Sequence, residues 1–234
     1  MNELIISGLR IDWDLLADSY VSRIPALRSV DELEFSSNVT FFTGENGSGK
    51  STLLEAIALA CGFSAEGGSR NFHFSTFDDT SDLIDAITLY RKRSIPQSSF
   101  FLRAESFFTM ATQAADYDGG RSVLSSMHEM SHGESFMELL LSRTGTGLFL
   151  LDEPESALSA QRQLTLLAHM HEMAGAGSQF IVATHSPILL GLPGASILRF
   201  DDDGVHPCAY EDTDSYRVTE MFINHRELLL HHLL

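Results

Sequence analysis

The chain has 234 residues, 44% hydrophobic and 20% charged, with a net charge of −17 from 15 basic and 32 acidic side chains. That length suits one large domain, or one domain with an inserted lobe, and excludes a fragment too short to bury a core. The acidic balance counts against a surface that coats nucleic acid, and two cysteines, Cys61 and Cys208, are too few for a secreted disulfide framework.

The opening residues, MNELIISGLRIDWDLL, lack a basic segment followed by a long apolar run, so no signal peptide is expected. No stretch approaches the ~18 apolar residues of a spanning helix. Residues 4–11 predict a short strand, and residues 38–43 (NVTFFT) a buried strand that runs straight into a glycine-rich turn. From residue 50 to 61 the apolar positions Leu53, Leu54, Ile57, Ala58 and Cys61 follow helical spacing, with Gly62 as the stop. GFSAEGGSR then reads as a loop.

Residues 81–93 predict a helix stopped before Pro96, residues 100–103 a strand, and residues 105–115 a further helix, broken at Asp118-Gly119-Gly120. The middle third is therefore expected to be a mostly helical lobe, about residues 64–130. The last third alternates: strand 148–151, helix 160–173, strand 180–183, strand 197–200. Such alternation implies a parallel sheet covered by helices. Asp201-Asp202-Asp203-Gly204 reads as a solvated turn, and residues 216–234 as a helix.

Three groups of residues carry chemistry. The first is GENGSGKST at residues 44–52, which matches G-x-x-x-x-G-K-[ST] between a strand and a helix. Gly44, Gly47 and Gly49 permit a tight turn, so the N–H groups of Gly44, Glu45, Asn46, Gly47, Ser48 and Gly49 can face the phosphates of a nucleotide. The helix start adds partial positive charge. Lys50 would reach the terminal phosphates, Ser51 would ligate Mg²⁺, and Thr52 would support the α-phosphate.

The second group is the acidic pair Asp152-Glu153, delivered by the apolar run 148–151 to the sheet edge where nucleotides bind in open α/β folds. Asp152 would hold Mg²⁺ through water, and Glu153 would act as general base toward the attacking water. Such pairs also cap following helices. The third is His185, after the strand QFIVAT, where an imidazole can hydrogen-bond the γ-phosphate. His169 and His171 are two residues apart and do not share a helix face, which argues against a metal pair.

Between these groups lies MSHGESFMELLLSR, residues 130–143. It resembles the L-S-G-G-Q signature of ABC-class ATPases: Ser131 and Gly133 keep the serine and second-glycine positions, while His132 and Glu134 depart. Ser156-Ala157-Leu158-Ser159 resembles the D-loop, with Ser159 where an aspartate is common, and His185 matches the H-loop. GENGSGKSTLLEAIA and DEPESAL are most similar to the soluble branch of that class, which includes the SMC, RecF-like and OLD-family heads. The strand FFLRAES and the compact size resemble small stand-alone bacterial AAA-family ATPases.

The resemblance implies an α/β P-loop NTPase fold with a mostly parallel sheet and an inserted helical lobe. It implies a single domain, with core about residues 1–63 and 131–234, and a cytoplasmic location. ATP and Mg²⁺ would be the ligands. Ser131 and Gly133 would face the γ-phosphate on a second subunit, giving a head-to-tail dimer on ATP binding. Glu105 falls near the Q-loop position, where it could meet Mg²⁺ through water; Gln97 and Gln113 are alternatives. Tyr20, with Trp13 second, is the candidate for stacking on adenine. Two other functions remain open: the energising subunit of a separate membrane transporter, and a slow-turnover ATP-sensing module. A protein partner is unidentified. No basic stripe with interleaved aromatics marks a nucleic-acid surface; Arg91-Lys92-Arg93 is the one dense basic run.

Overall fold

The computed structural model describes residues 3–17, 19–70, 81–104, 132–142 and 145–234. An interior strand of its larger sheet, β3 (Val39–Gly44), has five buried residues in succession. A strand apolar on both faces demands cover on both sides, and helices supply it. The strands β4 (Gly68–Ser69), β6 (Phe100–Arg103), β7 (Leu148–Asp152), β8 (Gln179–Ala183), β9 (Ser196–Asp201) and β10 (Gly204–Pro207) complete its sheet. The order is β10-β9-β3-β8-β7-β6-β4. The pairs from β9 to β6 are parallel, and only the edge strands β10 and β4 run antiparallel. All five parallel strands therefore end at one edge.

A second sheet is antiparallel, with β1 (Ile6–Ile11) between β2 (Glu32–Glu34) and β5 (Ile87–Arg91). The helix α2 (Lys50–Ala60) lies between the two sheets; its Leu53, Leu54 and Ile57 share one core with Leu9 and Ile11 of β1 and Leu150 and Ile181 of the large sheet. The opposite face of the large sheet buries Phe41, Phe149 and Val182 against Met137 and Leu140 of α4 (His132–Leu141) and Leu166 and Met170 of α5 (Ala160–Gly175). Gln179 joins the two sheets: its Oε1 accepts from the N–H groups of Ile5 and Ile6, each at 2.9 Å, and its Nε2 donates to the Ile6 carbonyl at 2.8 Å.

Three short α-helices, α1 (Pro25–Arg28), α3 (Leu83–Ala86) and α6 (Pro187–Leu190), also lie among the described residues; α7 (Asp214–Leu233) is long and has no buried residue. The expected solvated turn at Asp201–Gly204 is the tip of the β9–β10 hairpin.

One expectation is corrected. Residues 81–93 do not form a continuous helix: α3 ends at Ala86, and Ile87–Arg91 pairs along β1 as β5. The β-branched and aromatic residues Ile87, Thr88 and Tyr90 suit a pleated edge, and an available partner strand decides a short ambiguous segment. The segment expected to start a helical lobe thus contributes β4, β5 and β6 to the sheets. The predicted helix 105–115 and the break at residues 118–120 lie outside the described residues.

Candidate functional site

The loop after β3 turns where its sequence allows. Gly44, Gly47 and Gly49 all adopt positive φ, at 140°, 81° and 96°. Two of the three admit no side chain. A Cβ at Gly44 would stand 2.2 Å from the Phe200 carbonyl oxygen, and one at Gly49 2.8 Å from the Leu27 side chain. α2 opens at Lys50 with Gly49 as its N-cap and no side chain capping it, so its first N–H groups face the loop.

Lys50 is buried at 4% exposure, and its Nζ donates to the carbonyls of Gly44 (2.9 Å) and Glu45 (2.6 Å). Burial pushes the ammonium pKa down, while Glu153, Asp152, Glu155 and Glu45 push it up; burial wins. The charge thus sits inside the loop, held by carbonyls that a phosphate would replace.

Ser51 Oγ donates to Asp152 Oδ1 at 2.8 Å, linking the first turn of α2 to the end of β7. These two oxygens form the donor pair expected for Mg²⁺. Among the described residues no group of three or more His, Cys, Asp or Glu could hold a metal ion. The donor set fits Mg²⁺, which takes one or two protein oxygens and completes its shell with phosphate and water.

Glu153 has φ 48° and ψ 51°, the one positive φ among the described non-glycine residues. Its N–H donates to the Ala183 carbonyl at 2.9 Å, which fixes the turn against β8. Strain of this kind clusters at functional sites. Glu153 stands at the N-cap position of the helical turn Pro154–Ala157 but makes no side-chain capping hydrogen bond there, and α5 is capped by Ser159, which accepts from the Arg162 N–H. His185 Nε2 lies 3.8 Å from Glu153 Oε1 and has no hydrogen-bond partner. The His185 main-chain N–H donates to Glu155 Oε1 at 2.6 Å. Burial lowers the His185 pKa, Lys50 lowers it further, and Glu153 and Glu155 oppose both.

Lys50, Ser51, Asp152, Glu153 and His185 therefore meet at one sheet edge. Outside the loop lies a cleft of about 420 Å³, bounded by Pro25, Glu45, Asn46, Arg199, Asp202 and Asp214. A second, of about 330 Å³, connects Gly44 with His185 and the start of α7. Tyr20 lines neither; it is 55% exposed and opens a short helical turn, Tyr20–Arg23. Trp13 is structural: its Nε1 donates to the Val30 carbonyl at 2.9 Å, and the Arg28 guanidinium lies over its ring.

Gly133 falls in the first turn of α4. Ser131, Glu105 and Gln113 lie outside the described residues. Gln97 precedes β6 by three residues, at the sheet edge away from the site. Sequence reasoning missed Arg103, Glu55 and Glu155. Arg103 ends β6 in register with Asp152, so the alternation Phe101, Arg103 was a signal that could have found it.

Fold and loop together are those of a P-loop NTPase: a mostly parallel sheet with a glycine-rich turn between β3 and α2. Comparison with protein families agrees: an AAA domain model matches residues 23–108, and "AAA domain, putative AbiEii toxin, Type IV TA system" matches residues 136–191. No curated protein matches the sequence. Among solved structures, the SMC head domain from Thermotoga maritima is 15% identical, with 88% of this chain and 100% of that chain covered and a TM-score of 0.46. A structure described as an inward-facing conformation of "a putative metal-chelate type ABC transporter" is 19% identical, with 77% and 75% covered and a TM-score of 0.43.

Proposed function

We propose that this chain binds ATP at Gly44–Thr52 and hydrolyses it with Mg²⁺ in a single ABC-type ATPase domain. The observation that carries the reading is the 2.8 Å contact between Ser51 Oγ and Asp152 Oδ1, with Lys50 on one side and Glu153 and His185 on the other. Lys50 would exchange the Gly44 and Glu45 carbonyls for the terminal phosphates. Ser51 and Asp152 would hold Mg²⁺, whose charge offsets that of the β- and γ-phosphates. Glu153, with its carboxylate partly exposed, would take the proton of the attacking water. His185, kept neutral by its surroundings, would orient that water or the γ-phosphate. Most of the rate gain in such a site comes from positioning and fixed charge.

We further place the chain in the cytoplasm as an ATP-dependent homodimer, with Ser131 and Gly133 of each copy facing the other's γ-phosphate. The similarity of MSHGESF to the ABC signature supports that arrangement. Glu105 is a candidate for a water-mediated Mg²⁺ contact.

Calorimetry with ATP and Mg²⁺, followed by a phosphate-release assay, tests the proposal. The expected result is saturable binding and turnover, with ATP affinity lost in Lys50→Ala. Unchanged binding by Lys50→Ala would remove the phosphate-loop assignment.

A further inference from the structure

The register of β6 against β7 pairs Arg103 with Asp152, and parallel strands in register point paired residues to the same face. That face is covered by α2. On α2, Ser51 and Glu55 are four residues apart and share one side of the helix. The four side chains close a rectangle. Ser51 Oγ donates to Asp152 Oδ1 at 2.8 Å. Glu55 Oε2 accepts from Arg103 Nη1 at 2.5 Å. Arg103 Nε lies 3.6 Å from Asp152 Oδ2, an ion pair just beyond hydrogen-bond length.

Asp152 is therefore held through both oxygens, one by the loop serine and the other by a guanidinium. Arg103 is in turn anchored by Glu55, whose own side chain is 13% exposed and does not belong to the phosphate loop. Arg103 Nε is buried without a hydrogen-bond partner. An unpaired buried guanidinium nitrogen is costly, and a shift of under one ångström toward Oδ2 satisfies it. A carboxylate fixed at both ends presents one defined oxygen to an incoming cation.

From this geometry we propose that Arg103, braced by Glu55, is a positioning residue for Asp152 and so sets how Mg²⁺ strengthens ATP binding. The inference rests on the ATP-binding reading above. It assigns a role to two residues outside the phosphate loop and the acidic pair. Their effect passes through the Asp152 carboxylate, which Arg103 faces and Glu55 reaches through Arg103.

The test is ATP affinity by calorimetry, with Mg²⁺ and with EDTA, for wild type, Arg103→Ala, Arg103→Lys, Glu55→Gln and the Arg103→Ala/Glu55→Gln double variant. Wild type binds more tightly with Mg²⁺. Arg103→Ala keeps its metal-free affinity and loses about tenfold or more of the Mg²⁺-dependent gain, the range for groups that orient a metal ligand. Arg103→Lys restores part of the gain. Glu55→Gln loses less, and the double variant is no worse than Arg103→Ala, because Glu55 acts through the guanidinium. A full Mg²⁺ gain in Arg103→Ala overturns the inference. So does equal loss of affinity with and without Mg²⁺, accompanied by a lowered Tm, which marks general disruption. A wild type that binds no ATP in either buffer instead removes the ATP-binding reading itself.

Discussion

Gln179→Leu removes an amide while keeping a side chain of similar size, so the cost reports hydrogen bonds rather than a cavity. The amide serves three main-chain groups of β1 and the residue before it: the N–H groups of Ile5 and Ile6 and the Ile6 carbonyl. Gln179, Ile5 and Ile6 are exposed by 1%, 1% and 0%, so water does not reach these groups in the folded chain. Each buried group left unpaired costs about 1–3 kcal/mol. With partial relaxation the three together give roughly 3–6 kcal/mol, a large share of a typical domain's stability. For a chain of this size that lowers Tm by on the order of 10 °C or more. Urea denaturation followed by circular dichroism, with m unchanged, measures the loss directly. Amide exchange at Leu9 and Arg10 should accelerate first, because the amide tethers the antiparallel sheet. A loss below about 1 kcal/mol would refute the reasoning, since it would mean the strand finds its partners without Gln179.

Glu153→Gln should bind ATP with near-normal affinity, release phosphate slowly, and migrate as a dimer in size-exclusion chromatography with ATP and Mg²⁺; a monomer at every ATP concentration would reject the paired cycle. His185 is expected to titrate below its ordinary value of 6.5 by imidazole NMR. Glu153 raises that pKa and Lys50 lowers it, so Glu153→Gln should move the titration further down and Lys50→Met should move it up. Movement in the same direction for both would contradict the assigned geometry. The linkage sign follows: a histidine held below 6.5 in the folded state contributes stability that is complete above pH 6.5. That contribution is lost as pH falls from 6.5 toward the folded-state value, and His185→Gln should remove this part of the pH dependence.

The phosphate loop was legible because its backbone path leaves the chain few choices. At Gly44 the Phe200 carbonyl stands 2.2 Å from any added Cβ, so the residue type reads out the geometry. Asp152 was legible for a similar reason: five buried residues in a row define β7, and its end must meet the loop that precedes α2. Residues 87–91 were misread because their strand state depends on β1, eighty residues earlier, and not on local periodicity. Glu155 went unnoticed for the same cause. By position it is an acid at the start of a helical turn, yet its Oε1 accepts from the His185 N–H thirty residues away. Arg103 was read only as the last residue of a short strand; the pairing of β6 with β7 is what brings it beside Asp152.

The charge of the site then bears on how an acidic chain can hold a polyanion. Lys50 answers to Glu153, Asp152, Glu155 and Glu45, so its ammonium is already surrounded by carboxylates before any phosphate arrives. The loop's own attraction would come from main-chain N–H groups and the uncapped start of α2, whose first turn holds no acidic residue. Arg103 takes up charge on the Asp152 side and is itself matched by Glu55. In the proposed site a bare triphosphate would therefore meet repulsion at its γ end from Asp152 and Glu153. A divalent cation held by Ser51 and Asp152 would offset that repulsion. Under the proposed function, the same two carboxylates that would weaken binding of free ATP would favour its metal complex, which would tie substrate choice to the oxygens that Arg103 and Ser51 hold in place.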